Sequence, residues 1–297
     1  MPGTTSTYPN PTIPMPGSFP QQHQDTHPGT TDPMRPRPMT DNPQYLAAGK
    51  LTDRIAVITG GDSGIGQAVA IAFAKEGADV AIAYLQESGD AQHTVQAVEA
   101  LGRRCIAIPC DLKNHTAADM VIQKTMDAFG RIDILVNNAA VQYTKNSIED
   151  ITPEQLGITF STNVLSYFHM IKAALPHLNA GASIINTSSV TAYKGKETLI
   201  DYSATKGAIV SLTRSLSLSL AKNGIRVNAV APGPVWTPLI PSSFSPEDVE
   251  QFGKDTPLGR AAQPFELAPT YVYLASDDSG YVTGQVLHVN GGTMTES

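Results

Sequence analysis

From residue 55 onward, seven short apolar runs alternate with longer amphipathic stretches, and this alternation limits the folds open to the chain. The pattern is typical of an α/β protein with a doubly wound parallel sheet and helices on both faces. With 297 residues, 41% of them hydrophobic, one sizeable core can be buried and a second is not required. Strands are predicted at 55–59, 80–84, 105–109, 132–136, 183–186, 226–230 and 286–289, and helices near 64–76, 90–101, 116–129, 153–178, 202–222 and 264–275.

The first 49 residues have a different composition from the rest of the chain. They contain 11 of the 22 prolines, while Ile13, Phe19 and Leu46 are their only Ile, Leu, Val or Phe residues. So little apolar surface does not offset the entropy lost on ordering. We therefore expect residues 1–49 to form a disordered or extended arm, either free or lying across a neighbouring subunit. Residues 50–297 are expected to form one domain.

Charge and composition exclude several classes of function. The net charge of −7 comes without a basic cluster, which argues against nucleic acid and anionic membranes as partners. Neither a signal peptide nor an apolar run of 18 residues is present, so a cytoplasmic protein is predicted. Cys105 and Cys110, the only cysteines, are interpreted as small buried hydrophobes. His23 and His27 would face one metal ion only in a helix, which the surrounding prolines disfavour, so no metal is predicted.

A glycine-rich stretch, Thr-Gly-Gly-Asp-Ser-Gly-Ile-Gly at 59–66, directly follows the first predicted strand and opens a helix. Glycines allow a tight turn and a close approach of backbone to a pyrophosphate, and a helix N-terminus offers unpaired N–H groups. A turn without a ligand is the alternative. The context favours a Rossmann-type nucleotide site. Its candidate residues are Gly60, Ser63, Gly64, Ile65 and Gly66.

Tyr202 and Lys206 are four residues apart, a spacing that places both on one face of a helix. A nearby ammonium group favours the phenolate, so this tyrosine could act as an acid or base near neutral pH. Pairs at this spacing are also common on solvated helix faces. Of the ten tyrosines, only Tyr202 has a lysine four residues on. Ser189 is favoured over Ser188 as a companion, because the two serines alternate in direction at a strand end.

Further motifs stand in the same chain order: Asp111, the Asn-Asn-Ala-Ala stretch at 137–140, Asn163 and the Pro-Gly-Pro-Val-Trp-Thr stretch at 232–237. Together they make residues 50–297 resemble the short-chain dehydrogenase/reductase family. Ala140 departs from the glycine usual there. The arm, the glycine loop and residues 274–276 and 282–284 are similar to the general-stress and aldehyde-reductase group related to glucose and ribitol dehydrogenases.

The resemblance implies an oxidoreductase that transfers a hydride between NAD(P) and a small aldehyde, ketone or polyol. Tyr202 would be the general acid or base, and the Ser189 hydroxyl would steady the developing charge. Lys206 would hold the nicotinamide ribose and, together with the positive ring of the oxidised cofactor, lower the pKa of Tyr202. Asn163 would hold a water beside Lys206, although a helix-interior asparagine satisfied by backbone groups remains an alternative that is compatible with this role.

The same resemblance implies a set of cofactor contacts. Asp111 would bind the adenine amino group, residues 137–139 the adenosine ribose, and Val235 and Thr237 the nicotinamide carboxamide and the phosphates. A solvated carboxylate and simple turns are the alternatives. The cofactor-binding candidates are Gly60, Ser63, Gly64, Ile65, Gly66, Asp111, Leu112, Asn137, Ala139, Tyr202, Lys206, Pro232, Val235 and Thr237.

The choice between NADP and NAD depends on the end of the second predicted strand. An acidic residue there would accept the ribose hydroxyls and exclude a 2′-phosphate, but residues 83–86 read Ala-Tyr-Leu-Gln. No arginine or lysine stands at Asp62, at Ser63 or just after Tyr84 to hold the phosphate, and Asp62 would oppose it. NADP is favoured by a narrow margin, and use of NAD or of both stays open.

Substrate, assembly and alternative functions are less constrained. Residues 191–200 and 237–262 would form the pocket wall and a lid, whose aromatic residues either line the pocket or pack on the core. A β-ketoacyl thioester is a competing substrate. A nucleotide-sensing scaffold without turnover is a second class of function, which the presence of Ser189, Tyr202 and Lys206 disfavours. The resemblance implies a homotetramer.

Overall fold

The computed structural model describes residues 13–294, in which seven parallel strands form one sheet. Numbered in chain order, the strands lie side by side in the order 3-2-1-4-5-6-7. The second and third strands are therefore added on one side of the first strand, and the fourth to seventh strands on its other side. The prediction of a doubly wound, seven-stranded parallel sheet is confirmed. The strands are β1 (Ile55–Thr59), β2 (Asp79–Tyr84), β3 (Cys105–Pro109), β4 (Ile132–Asn137), β5 (Leu178–Thr187), β6 (Arg226–Pro232) and β7 (Val286–Val289).

Helices cover both faces of this sheet. Along β1, Ala56 and Ile58 point into a core shared with the helices at 64–75, 88–99 and 268–275. Val57 points to the opposite face, into a core shared with the helices at 115–129, 166–174 and 200–220. The strands are therefore buried on both sides, which is why they read as continuous apolar runs. The α-helices are α1 (Gly64–Lys75), α2 (Ser88–Glu99), α3 (His115–Phe129), α4 (Pro153–Phe160), α5 (Ser166–Ala174), α6 (Thr191–Lys194), α7 (Ile200–Leu220), α8 (Pro246–Gln251) and α9 (Ala268–Ala275).

The helical stretch predicted near 153–178 is confirmed over 153–177, but it is not one uniform α-helix. A π-helical turn at Ser161–Leu165 separates α4 from α5, and a 3₁₀ turn at Leu175–His177 ends the run. A π turn inserts an extra residue into the helix, and such insertions are common at functional sites. The strand that follows is longer than predicted, because Leu178 already pairs with Ile132 of β4.

The described part of the arm packs on the domain of its own chain, and a course across a neighbouring subunit stays a prediction. Residues 13–49 contain no helix or strand, yet they follow the surface of their own chain. Phe19 and Met34 are buried in a cluster with Trp236, and the Phe19 and Trp236 rings stack with centroids 3.8 Å apart. The indole Nε1 of Trp236 donates to the carbonyl oxygen of Pro36 at 2.8 Å. A few large side chains and backbone contacts thus dock the arm on the domain, which its low apolar content did not predict.

Residues 13–294 contain neither a membrane-spanning helix nor a cluster of metal-binding side chains. None of the helices there has the length and hydropathy needed to cross a bilayer. That part of the chain also contains no cluster of three or more His, Cys, Asp or Glu side chains placed to bind a metal ion. Cys105 is buried and Cys110 is partly buried, and both are free thiols.

Candidate active site

A cavity of about 730 Å³ lies at the carboxyl ends of the central strands, between β1 and β4, where the strand order reverses. It joins the glycine loop to the segments that carry Ser189, Tyr202 and Lys206. All but three of the residues predicted for the site line this cavity. The exceptions are Gly66, Asn137 and Asn163.

The glycine loop between β1 and α1 is closed tightly on itself. Gly60 and Gly64 have positive φ angles, of 64° and 52°, which other residues rarely adopt. A Cβ atom on Gly66 would lie 1.9 Å from the carbonyl oxygen of Gly60, so only glycine fits behind the loop. Ser63 precedes α1 without a side-chain capping bond, which leaves the first N–H groups of the helix available to an anion.

The loop after β4 is tied to the glycine loop. The Thr59 hydroxyl oxygen accepts hydrogen bonds from the backbone N–H groups of Asn138 and Ala139, at 2.9 and 3.1 Å. Asn137 points elsewhere: its side chain is fully buried, and its Nδ2 donates to Asn186 Oδ1 of the neighbouring strand at 3.0 Å. Asn137 therefore joins two strands, and Asn138, Ala139 and Ala140 are the residues of this stretch that reach the cavity.

Asn163 lies in the π turn and is fully buried. Its Nδ2 donates to the carbonyl oxygen of Val141 at 2.8 Å and to Thr205 Oγ1 at 3.2 Å, and its Oδ1 accepts from the Val141 N–H at 2.8 Å. Both amide hydrogens are thus engaged. The side chain joins the loop after β4 to α7, which matches the expectation of an asparagine satisfied by backbone groups. The expected role of Asn163 in holding a water beside Lys206 stays a prediction.

Ser189 and Tyr202 both line the cavity, and their side chains are hydrogen-bonded to each other. The Ser189 oxygen accepts hydrogen bonds from the backbone N–H and the hydroxyl of Thr191, both at 3.1 Å, which orients the serine. Burial raises the pKa of Tyr202 to about 12, and a hydrogen bond with the Ser189 hydroxyl opposes this rise. Ser188 points away, as the alternation predicts, and donates to the carbonyl oxygen of Lys206 at 2.9 Å.

Lys206 is 1% exposed, and its Nζ donates to the carbonyl oxygen of Thr187 at 2.8 Å. The Nζ atom lies 5.5 Å from the centre of the Tyr202 ring. Burial lowers the pKa of Lys206 to about 7. The lowering of the Tyr202 pKa by Lys206 together with the oxidised cofactor stays a prediction, because the raised pKa of Tyr202 is that of the protein alone. The desolvation of the phenol dominates, and the lysine itself is only partly charged near neutral pH.

Two buried carboxylates lie beside the glycine loop, and the sequence reasoning missed one of them. Asp62 and Glu87 both line the cavity and are 6% and 5% exposed. Burial, and secondly the charge of Glu87, raises the pKa of Asp62 to about 7. Glu87 Oε1 is buried and has no hydrogen-bond partner in the described part of the chain. Glu87 lies three residues beyond Tyr84, just before α2, so a search confined to the strand end passes over it.

The loop after β6 forms the opposite wall. Trp236 N donates to Ala262 O, and Ala262 N donates to Pro234 O, both at 2.9 Å, which holds Val235 at the cavity. A Cβ atom on Gly64 would lie 2.9 Å from Thr237 Cγ2, so this loop reaches the start of α1.

Aromatic residues expected in the wall and lid divide into two sets. Phe244 and Phe252 line the cavity, whereas Trp236 is buried beneath the arm and Tyr193 packs against His288. His27 of the arm also lines the cavity, and no signal in the sequence placed it there.

Fold and site together define a nucleotide-binding oxidoreductase of the Rossmann type. A family model described as "Enoyl-(Acyl carrier protein) reductase" matches residues 60–294. The chain is 32% identical to a short-chain dehydrogenase from Burkholderia cenocepacia J2315 solved in complex with NADP, with a TM-score of 0.77 over 82% of this chain and 98% of that one. The chain belongs to the short-chain dehydrogenase/reductase family.

Several relatives are similar over nearly their whole length. The chain is 58% identical to "Uncharacterized oxidoreductase YhdF" of Bacillus subtilis, over 91% of this chain and 94% of that protein. It is 51% identical to "Glucose and ribitol dehydrogenase" of Daucus carota, over 94% and 98%. It is 50% identical to "NADPH-dependent aldehyde reductase 1, chloroplastic" of Arabidopsis thaliana, over 93% and 99%. A 3-ketoacyl-(acyl-carrier-protein) reductase from Brucella melitensis complexed with NADH is 30% identical, with a TM-score of 0.74 over 82% and 98%.

Proposed function

We propose that this protein transfers a hydride between NAD(P) and a small aldehyde, ketone or polyol, with Tyr202 as the general acid or base. The observation that carries the proposal is the convergence of Ser189, Tyr202 and Lys206 on the cavity that also contains the glycine loop. A scaffold without turnover would not require a phenol, a hydroxyl and a buried ammonium group around one cavity.

The residues present fit a dinucleotide. No side chain fits between Gly60 and Gly66, so the loop offers backbone to a phosphate. No side chain caps the first N–H groups of α1, and Glu87 Oε1 lacks a partner among the described residues. Ser63, Ile65, Asp111, Leu112, Ala139, Pro232, Val235 and Thr237 would complete the binding surface. When bound, the nicotinamide supplies or accepts the hydride.

Both NADP and NAD are proposed as cofactors. The Arabidopsis relative carries NADPH in its name, and the two solved relatives hold NADP and NADH. The narrow preference for NADP stays a prediction. The buried carboxylates of Asp62 and Glu87 favour an unphosphorylated ribose, because they would repel a 2′-phosphate. Comparing kcat/KM for the two cofactors tests the preference, and a ratio above ten for NAD would overturn it.

The chain's own groups suit proton donation to a carbonyl oxygen. With a pKa of about 12, Tyr202 is protonated at neutral pH and can act as the acid in the reductive direction. The Ser189 oxygen already accepts two hydrogen bonds, so its hydrogen is free for the phenol or for the substrate oxygen. In the oxidative direction, Lys206 in its ammonium form would favour the phenolate.

The names of two relatives favour a polyol or aldehyde substrate. The Daucus protein is named for glucose and ribitol, and the Arabidopsis protein is named for aldehydes. A β-ketoacyl thioester is the second candidate, favoured by the Brucella relative. A panel of ribitol, glucose, small aldehydes and acetoacetyl-coenzyme A, followed by nicotinamide absorbance, separates the two. Turnover of the thioester alone would reverse the order.

The role of Tyr202 is tested by Tyr202→Phe. We expect cofactor binding to persist and turnover to fall on the order of 10²- to 10⁴-fold, the usual contribution of a general acid or base. Tyr193→Phe is the matched control, because Tyr193 packs on His288 outside the cavity and should retain activity. Wild-type turnover in Tyr202→Phe would remove the central claim. Cofactor binding without turnover of any compound in the wild-type protein would favour the scaffold.

We also propose that the protein is a cytoplasmic homotetramer. Phe168 on α5 is 44% exposed and Leu218 on α7 is 84% exposed, with further apolar side chains near them at the surface. Exposed apolar patches of this kind mark protein interfaces, and closed symmetric assemblies would cover them. The mass in solution tests the assembly, and a monomer at micromolar concentration would contradict it. Cell fractionation tests the location.

A further inference from the structure

The arm forms part of the wall of the catalytic cavity. The backbone N–H of Gln24 donates to Pro241 O at 2.9 Å, and Ser242 Oγ donates to Pro28 O at 2.8 Å. Gly29 has a φ angle of 90°, and a Cβ atom there would lie 2.6 Å from Pro238 O. Residues 24–29 are therefore fitted closely to the lid segment, and this course brings His27 to the cavity.

The imidazole of His27 is held in a defined orientation. Its ring lies 4.6 Å from the ring of Tyr143, centre to centre, and its Nδ1 lies 3.4 Å from the carbonyl oxygen of Ser242. Because a carbonyl oxygen only accepts, Nδ1 carries the hydrogen in this contact. Burial lowers the pKa of His27, so the ring is neutral. Its Nε2 is then an acceptor, and this atom is buried with no partner among residues 13–294.

A donor complements this acceptor. Gln142 precedes Tyr143, is 4% exposed and lines the same cavity. Its Nε2 is likewise buried and has no hydrogen-bond partner within the described residues. Buried polar groups in proteins are nearly always satisfied, so two unpaired groups that flank one tyrosine call for a polar ligand. A hydroxyl group both donates and accepts, so a substrate hydroxyl that reaches either group would satisfy it.

We propose that His27 is a specificity-determining residue supplied by the arm, whose Nε2 accepts a hydrogen bond from a substrate hydroxyl away from the reacting carbon. The proposal rests on the proposed function and narrows its substrate class. Hydroxyaldehydes and polyols are preferred over unsubstituted aldehydes, because only a hydroxylated substrate satisfies the buried acceptor.

The test compares glyceraldehyde with propanal in the full chain. His27→Phe keeps a ring against Tyr143 and removes Nε2, so kcat/KM for glyceraldehyde should fall about three- to tenfold while that for propanal is unchanged. His27→Gln, which places an amide near the Nε2 position, should recover part of the loss. His23→Phe is the matched control, because His23 also contacts the lid, through Phe244 O at 3.0 Å, but does not line the cavity. Equal losses for both aldehydes, or a similar loss in His23→Phe, would overturn the proposal.

A second readout does not depend on turnover. Long-range nitrogen NMR of the imidazole, assigned by its loss in His27→Phe, should report an Nδ1–H tautomer at pH 7. The Nε2 resonance should shift when ribitol is added to the protein with oxidised cofactor, and should not shift with propanol. An Nε2–H tautomer, or no response to ribitol, refutes the role of His27. A wild-type protein that reduces neither aldehyde but meets the NMR expectations refutes the proposed reaction and leaves the binding role of His27 supported.

Discussion

Phe19 anchors the arm, so Phe19→Ala should release the arm without unfolding the domain. Phe19 is 3% exposed and stacks on Trp236, with the ring planes inclined by 10°. Replacing a buried phenylalanine by alanine costs about 3–5 kcal/mol. Because the arm lies outside the sheet and its covering helices, this cost falls on its docking equilibrium, and the population of released arm should rise on the order of 10²- to 10⁴-fold.

Trp236 offers a direct assay, since it is the only tryptophan in the chain and is fully buried under Phe19. Release of the arm should shift its fluorescence to longer wavelength and expose it to acrylamide. Proteinase K should also cut faster within residues 13–49, while far-UV circular dichroism stays unchanged. Leu46→Ala is the control, because Leu46 belongs to the same arm and is 91% exposed. Unchanged fluorescence and cleavage in Phe19→Ala would refute the anchoring role.

Three further predictions concern the cavity. Glu87→Gln removes a buried carboxylate and should raise the NADP-to-NAD ratio of kcat/KM about tenfold, measured with one aldehyde; an unchanged ratio would place Glu87 away from the ribose. Asp62 binds a proton more tightly when folded, with a pKa of about 7 against 3.8, so its contribution to stability is full below pH 4 and is lost as the pH rises to about 7. Asp62→Asn should therefore gain a few kcal/mol over the wild type at pH 8 and none at pH 4, by urea unfolding, and a gain equal at both values would contradict the raised pKa. Ser189→Ala should lower turnover on the order of 10²- to 10³-fold with cofactor affinity retained, by steady-state kinetics and fluorescence titration, and a loss below tenfold would mean that Ser189 only shapes the wall.

The sequence predicted the sheet well because its signals are local. Seven apolar runs and a glycine loop are enough to locate β1, α1 and the point between β1 and β4 where the strand order reverses. Tyr202 and Lys206 both lie in α7, the helix that their spacing predicts. The break between α4 and α5 was missed, because nothing in residues 153–178 marks a π turn. It depends on Asn163 reaching across to the backbone of Val141.

The missed parts of the site have a common physical origin. Glu87 and His27 gain their significance only when tertiary contacts bury one unpaired atom of each. The environment of Lys206 was also beyond the spacing argument, since its pKa near 7 results from complete burial rather than from its distance to Tyr202. Spacing along a helix predicts which side chains share a face, and burial decides which of them carry charge.

The docked arm has a practical consequence for work on this protein. The family model matches residues 60–294, so the arm lies outside the part of the chain that the family shares. A version beginning near residue 50 would keep the sheet and Tyr202 while losing His27 and Pro28, the residues of the arm that line the cavity. Screening such a trimmed enzyme would report the selectivity of a different catalyst, and tags placed at the N-terminus deserve the same scrutiny.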